Sequence, residues 1–532
     1  QSAEGADRHE FTRSPPSSTQ MHRTVTGPLG HAKTYEFEVP SDRKWYSTPK
    51  LLSVKGSANG TVPADENTYT YSGNLITSVT DRRGTTTSYT NDAGYRRPTL
   101  VKGASGDIAE QQVQITWHPK WDLPTVQEEE GLSTTSTYDL QGRLISSTAT
   151  DTTTHSQPYS TAGQSRTTTY SWTAQGRLAQ INGPLAINPQ GHDDITTFAY
   201  DAAGNLTSAT NPLGHVTQFA GHDANGRAAS MIDPSGLVTS FSYDALGRLI
   251  SLNNAHPTDS AQDAVTSFEY DSEGRVVGIT LPQTVKLIVY YDSIGRATAL
   301  RSADGERIDF AYDPMGNIVS RTVKRSDGTA TQSIKHSFDA LGRMLTETLR
   351  AGRSQSFQYD KESNLTAITD PRGFTSNMAF DALGRLVTTT NPDAGLETAS
   401  YDKQDRPLSY KDAIDVTTTF TRNGFGEVIQ EISPDRGTST YYYDAAGQMT
   451  VAIDGRGQRV DYTRDILGRL TAKLPVGRPA SEAITYTYDS GGLGSYQLGR
   501  LTKVIDGSGE TRFGYDHRGN LTARQQALGA SP

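Results

Sequence analysis

The sequence predicts an all-β fold: a long, curved antiparallel sheet built from tandem β-hairpins. Three observations predict it. The phrase Tyr-Asp-x-x-Gly-Arg-Leu recurs along the 532 residues. Two kinds of turn signal alternate between short β-branched segments. No stretch longer than a turn or two carries helical periodicity.

The recurrence comes first because it sets the length of the unit. Clear copies begin at Tyr138, Tyr200, Tyr243, Tyr270, Tyr291, Tyr312, Phe338, Tyr359, Phe380, Tyr401, Tyr443 and Tyr515. Degenerate copies begin at Tyr170, His222, Arg422 and Arg464. From Phe338 to Arg464 the interval is 21 residues, six times in succession. Elsewhere it lengthens, as expected of one supersecondary unit with loops of varying size.

Each unit divides into two turns and two strands, as the stretch from Phe380 to Asp402 shows. Asp381 and Gly384 bracket a short loop, which Asp can cap with its own side chain and Gly can close with a positive φ. Arg385 to Thr390 is β-branched and alternating, a strand pattern. A second turn follows at Asn391-Pro392-Asp393-Ala394-Gly395, and Leu396 to Tyr401 is the return strand. The second turn recurs at Asn211 to Gly214, Asp233 to Gly236, Asp370 to Gly373 and Asp506 to Gly509. Positive φ is expected at Gly247, Gly295, Gly342 and Gly384. The odd copies with Ser363-Asn364 and Asp405 are expected to turn differently.

Four stretches follow along the chain. Residues 1–34, rich in Ser, Thr, Pro and Gly, form an irregular lead-in. Residues 35–137 are degenerate repeats, 138–525 the regular array, and 526–532 a tail. About forty strands at about 4.8 Å spacing give a ladder of about 190 Å. That length predicts roughly one circuit of an open sheet with two exposed edge strands.

Composition fits a sheet with one packed and one wetted face: 34% of residues are hydrophobic. With 50 basic and 59 acidic residues the net charge is −9, without a basic patch, so nucleic acid is not expected as a partner. The absence of cysteine excludes disulfides, thiolate metal sites and thiol catalysis. The longest apolar runs, such as Leu287 to Tyr291, are too short for a membrane span, and no signal peptide is visible. The 11 histidines are scattered without ligand spacing, and no nucleophile elbow, phosphate loop or dinucleotide fingerprint occurs. No catalytic, metal-binding or cofactor-binding residue is therefore assigned, and no cofactor is expected.

The residues singled out are those of the repeated turn. They are Tyr138, Asp139, Gly142 and Arg143; Tyr200, Asp201 and Gly204; Tyr243, Asp244, Gly247 and Arg248; Tyr291, Asp292, Gly295 and Arg296; Asp339, Gly342 and Arg343; Asp381, Gly384 and Arg385; Tyr443, Asp444 and Gly447; Tyr515, Asp516 and Gly519. The aspartates suit either calcium ligands or turn caps. A catalytic group is needed once and these occur once per unit, which favours the cap; calcium loops also cluster several carboxylates. The arginines could take an anion, but a pairing with Asp across the turn is the simpler expectation. The tyrosines could stack sugars, or alternate with aliphatic residues such as Leu386 in a packing ladder.

Taken together, the array resembles the Rhs/YD-repeat family, known from bacterial Rhs polymorphic toxins, the BC components of insecticidal Tc toxins, and animal teneurins. The resemblance covers about residues 35–525. It implies a β-sheet that spirals into a hollow shell, a cocoon around a C-terminal toxin. Implied partners are that toxin cargo, the remaining shell segments, a PAAR/VgrG-type secretion spike of a type VI-like route, and a dedicated chaperone. The implied setting is bacterial: synthesis in the cytoplasm, then secretion or delivery to a target cell. Neither a PAAR-like segment nor the family's closing segment with its aspartyl autoprotease is seen in this sequence, so no enzyme activity is expected of it. A cell-surface or extracellular module that binds carbohydrate or protein is the rival reading, and an enzyme hidden in residues 1–65 or 144–170 a third.

Overall fold

The computed structural model describes residues 10–13, 20–39, 49–58, 62, 64–94, 96–185 and 193–529. Among them are 44 β-strands and four single-turn 3₁₀ segments, so the fold is all-β. The expected strands are present at Leu386–Thr390 and Leu396–Tyr401. The strands pair antiparallel with their sequence neighbours: Asn377 lies opposite Thr390, and Thr388 opposite Thr398.

Most hairpins of the regular array carry a register shift at the residue before the repeated turn, though the hairpin of Val216–Ala220 and Ser230–Ile232 does not. Ala379 pairs with Thr388 but Phe380 pairs with Leu386, leaving Val387 as the extra residue. The same shift recurs before Tyr138, Tyr243, Tyr291 and Tyr443. A bulge bends its strand and raises the local twist.

Burial alternates along the strands, most plainly in Ser165–Trp172. Few side chains are fully enclosed; Ile429, Val62, Asn423, Thr161, Thr502 and Asp151 are the largest below 2% exposure. Four of those six are polar. The packing is that of a single sheet, not of a thick two-layer core.

The chain divides into two compact units. The first comprises Gln1–Thr116, Asp271–Val277 and Leu287–Thr417, and the second Trp117–Tyr270, Gly278–Lys286 and Thr418–Pro532. Each unit thus contains an early and a late stretch of ladder. In the first unit Arg82 meets Glu362, 280 positions later, and Lys403 meets Ile108 across 295. In the second, Gly424 meets Asp151 across 273 and Tyr159 meets Tyr441 across 282. The expectation that the whole chain amounts to one circuit is therefore corrected: in both units the ladder already lies alongside itself. Ladder length alone carries no curvature, and local twist brings the strands back alongside one another sooner.

Other expectations are corrected as well. The lead-in is not irregular throughout, since Glu10–Arg13 and Gln20–Thr26 are strands, the first paired with the second. Residues 1–9 and 14–19 of the lead-in lie outside the described residues, as do 530–532 of the tail. The last strand, Leu521–Leu528, continues past residue 525 into the expected tail and pairs with Gly509–Tyr515. The irregular stretch 144–170 holds strand Leu144–Asp151 and most of Ser165–Trp172.

Candidate functional site: the repeated turn and its neighbours

The repeated turn is a small, fully bonded unit. At Asp381 the backbone N–H donates to the Arg385 carbonyl at 3.0 Å, and Gly384 N–H donates to the Asp381 carbonyl at 3.0 Å. One carboxylate oxygen of Asp381 accepts from the N–H groups of Leu383 and Arg385, each at 3.0 Å. The other accepts from Arg385 Nε at 2.6 Å. Asp139–Arg143, Asp244–Arg248, Asp292–Arg296 and Asp339–Arg343 repeat the pairing at 2.6–2.7 Å. Asn205 and Asn520 replace the arginine as donors to Asp201 and Asp516, each at 2.9 Å. Asp444 accepts the Gln448 N–H at 2.9 Å. Except at Asp444, where one oxygen takes both N–H groups, both oxygens of these carboxylates are engaged within their own loop.

The electrostatics agree. The Arg248 N–H above all, with the Arg248 side chain, holds Asp244 below the usual carboxylate range against the cost of desolvation. Desolvation opposes the same shift at Asp139 and Asp292, and bonds from Arg143 and Arg296 outweigh it.

The closing glycines adopt the left-handed conformation: φ is 80° at Gly142, 89° at Gly204, 82° at Gly247, 89° at Gly295, 78° at Gly342, 80° at Gly384, 81° at Gly447 and 88° at Gly519. The expectation of a different turn at Ser363 and Asp405 is overturned. Both take φ values of 69° and 62° and close the same loop, Ser363 to Asp360 and Asp405 to Asp402. The surrounding bonds impose the geometry on residues that would not choose it.

Where a clear copy begins with Tyr, the turn is also tied to the hairpin before it. Tyr291 Oη donates to the Val276 carbonyl at 2.8 Å, Tyr443 to Val428 at 2.7 Å and Tyr515 to Leu501 at 2.6 Å. Tyr138, Tyr200 and Tyr243 do likewise with Pro124, Leu178 and Ala228. The preceding arginine then stacks on the ring: Arg248 over Tyr270 at 4.5 Å, Arg343 over Tyr359 at 4.9 Å, Arg385 over Tyr401 at 5.0 Å. The expected tyrosine–leucine ladder is thus a tyrosine–arginine ladder. Leu386 stands opposite Phe380 and is 37% exposed, because the guanidinium, fixed by Asp381, already holds the ring face.

Two members of the array differ from the sequence reading. In the copy begun at Tyr170 the aromatic place belongs to Trp172, whose Nε1 donates to Leu144 at 2.9 Å, and Thr173 Oγ1 replaces the aspartate as acceptor. A further copy begins at Tyr488, where Asp489 N–H reaches Arg500 across an inserted loop. The residue pair Tyr-Asp at 488–489 was the available signal.

A second kind of contact has no signal in the repeat. Second-type turns of the early stretches dock on repeated turns of the late stretches. In the first unit Arg83 donates through Nη1 and Nη2 to the carbonyls of Asp381 and Ala382, both at 2.9 Å, while Arg82 N–H donates to Glu362 at 2.7 Å. In the second, Asp151 accepts from Gly424 N–H at 2.7 Å, Arg166 pairs with Glu427 at 2.8 Å, and His256 packs edge-on against His517 at 4.7 Å. Tyr159 stacks on Tyr442 at 4.5 Å and donates to the Tyr441 carbonyl. Among the described residues no group of three His, Asp or Glu side chains could hold a metal ion, and no helix is long and apolar enough to cross a membrane.

A ladder of hairpins locked turn to turn, with tips docked on tips inside each unit, defines a tandem β-hairpin repeat protein. Residues 304–479 match the family model described as Teneurin YD-shell, and residues 185–217, 222–258 and 497–531 match the one described as RHS Repeat. The chain belongs to the Rhs/YD-repeat family. Among solved structures it is similar to the crystal structure of TcdB2-TccC3, with 14% identity and a TM-score of 0.53 over 98% of this chain and 33% of that one. The crystal structure of TcdB2-TccC3-Cdc42 aligns at 15% identity and a TM-score of 0.50, over 97% of this chain and 31% of that one. The chain spans about a third of the length of these structures, and the likeness is one of fold. No curated protein matches the sequence.

Proposed function

We propose that this chain is a segment of the wall of an Rhs-type toxin shell, enclosing a separately folded toxin domain for secretion and delivery. The observation that carries this reading is the docking of turns across 261–298 residues in both units. A wall that stacks on itself tip to tip gains height, and a container needs height where a binding platform needs an open face. The ring faces of Tyr270, Tyr359 and Tyr401 are occupied by arginines, which removes the support for a sugar-stacking surface. Passage by a type VI-like route, with a PAAR/VgrG spike and a chaperone, rests on the family resemblance alone.

Limited proteolysis of the full-length protein tests the reading. A toxin domain that resists protease in the intact shell, and is digested once Tyr159→Ala and Arg83→Ala loosen the docked turns, is the expected result. A domain digested equally fast in both proteins would refute enclosure.

A further inference from the structure

A second row of side chains repeats with the same interval as the turn, and one pair in it is out of proportion. Positions 357, 378, 399, 420, 441 and 462 hold Phe, Met, Ala, Phe, Tyr and Tyr. Opposite them on the next strand stand Ile368, Thr389, Tyr410, Glu431, Ala452 and Lys473. An aromatic residue of the first row faces Ile, Glu or Lys, except Tyr441, which faces Ala452. On its other side Ala452 lies opposite Val460. At that alanine the second unit holds a cavity of about 430 Å³, lined by Tyr441, Ala452, Val460 and Tyr462 with a polar rim. Its size is that of a small-ligand site.

The rim carries an excess of positive charge. Arg456 pairs with Asp454 at 2.9 Å and Arg478 faces Glu482 at 3.9 Å, while the half-buried Lys473 has no carboxylate partner among the described residues. The two rings are free as well. Among the described residues no guanidinium lies over Tyr441 or Tyr462, unlike Tyr270, Tyr359 and Tyr401. The strands around the cavity, Gly437–Tyr443, Met449–Ile453, Arg459–Arg464 and Leu470–Pro475, each have a strand on both sides. Their backbone groups are spent in the ladder, so a peptide cannot add to them by strand pairing. In the adjoining tip the N–H groups of Arg456 and Gln458 are spent on Asp454 at 2.9 and 2.8 Å, so these amides are not open to a phosphate. What remains is a set of side chains: donors in Arg456, Gln458 and Lys473, acceptors in Asp454 and Glu482, and two tyrosine rings. That set matches a ring with an apolar face, hydroxyl groups that both donate and accept, and a negative charge.

We propose that this cavity is a binding site for an acidic saccharide. A pyranose ring rests on Ala452 against the tyrosine rings, its carboxylate pairs with Lys473, and its hydroxyls bond to Asp454, Arg456 and Glu482. Tyr462 and Lys473 stand directly opposite one another, so a single sugar residue reaches both. The site does not depend on what the wall encloses.

Isothermal titration of the whole chain with digalacturonate and with sialyllactose is the test, with lactose, tetraglutamate and inorganic phosphate alongside. At least one of the two acidic saccharides should bind at a single site. Lactose should bind about tenfold or more weaker, the loss expected for a missing charge-assisted hydrogen bond. Lys473→Gln should erase the preference for the acidic sugar while keeping the thermal midpoint of the wild type. Ala452→Ile places at 452 the residue found at 368 and should abolish saccharide binding by filling the floor of the cavity. A wild-type chain that binds neither acidic saccharide, or a Lys473→Gln chain that still prefers one over lactose, would overturn the proposal. So would tetraglutamate or phosphate bound as tightly as the saccharide, which would assign the cavity to a peptide or to a simple anion.

Discussion

Arg83 donates to the backbone carbonyl of Asp381, 298 positions further along the chain, at 2.9 Å. One guanidinium thereby joins two hairpins that share no strand pairing, and it does so through backbone oxygens that any tip sequence would offer.

Replacing it isolates that contact. Arg83→Ala should cost about 1.5–3 kcal/mol, the range for hydrogen bonds to a charged donor. Hydrogen exchange should quicken at the Asp381–Arg385 turn and leave Asp244–Arg248 unchanged. Equal quickening at both turns would show that the effect is not local.

The cap aspartates should differ with their exposure. The Asp339 carboxylate is 1% exposed and that of Asp244 is 21%. Asp339→Ala leaves Arg343 and two backbone N–H groups without their acceptor in a buried setting, costing about 1–3 kcal/mol. Asp244→Ala should lower the thermal midpoint less, because water replaces the lost acceptor. The reverse order would refute the burial argument. In both, neighbouring hairpins should keep their exchange protection, since a repeat touches mainly its neighbours.

Two positions separate backbone strain from side-chain use. Ser363→Gly relieves a positive φ of 69° and should stabilise by about 1 kcal/mol. Asp405→Gly relieves a similar strain but loses bonds from Arg385 at 3.1 Å and Gln111 at 2.5 Å, so no gain is expected. Chemical denaturation with both variants decides the matter. A closing Gly384→Val should instead cost about 1–3 kcal/mol.

Acidification should loosen the second unit at His517. Burial first, then the nearby His256 and Arg518, push its pKa below 6.5, against Asp516 and Asp263. Its Nε2 is buried without a partner. A base with a lowered folded pKa binds fewer protons folded than unfolded, so stability is intact above 6.5 and falls as the pH drops through that value. Exchange protection at 256–263 and 515–519, corrected for the intrinsic pH dependence of exchange, should therefore fall from about pH 7.5 to about pH 5.5. In His517→Phe that change should vanish, leaving the similar contribution of His31 in the first unit, also lowered by burial. Unchanged protection in the wild-type chain would rule the effect out.

The sequence by itself determined the hairpin and its repetition. Asp381, Gly384 and Arg385 bond to one another within four residues, and Tyr401 reaches Leu386 only 15 positions back. Contacts that short recur with the 21-residue period, so the period reveals them. It did not reveal the arginine over each ring, because nothing in the spacing says whether Arg385 or Leu386 covers Tyr401. The tertiary structure alone decided which tips dock. Arg83 and Asp381, Arg166 and Glu427, and His256 and His517 lie 261–298 residues apart. That separation is the sum of many small twists and bulges along the ladder, and no local motif encodes a sum.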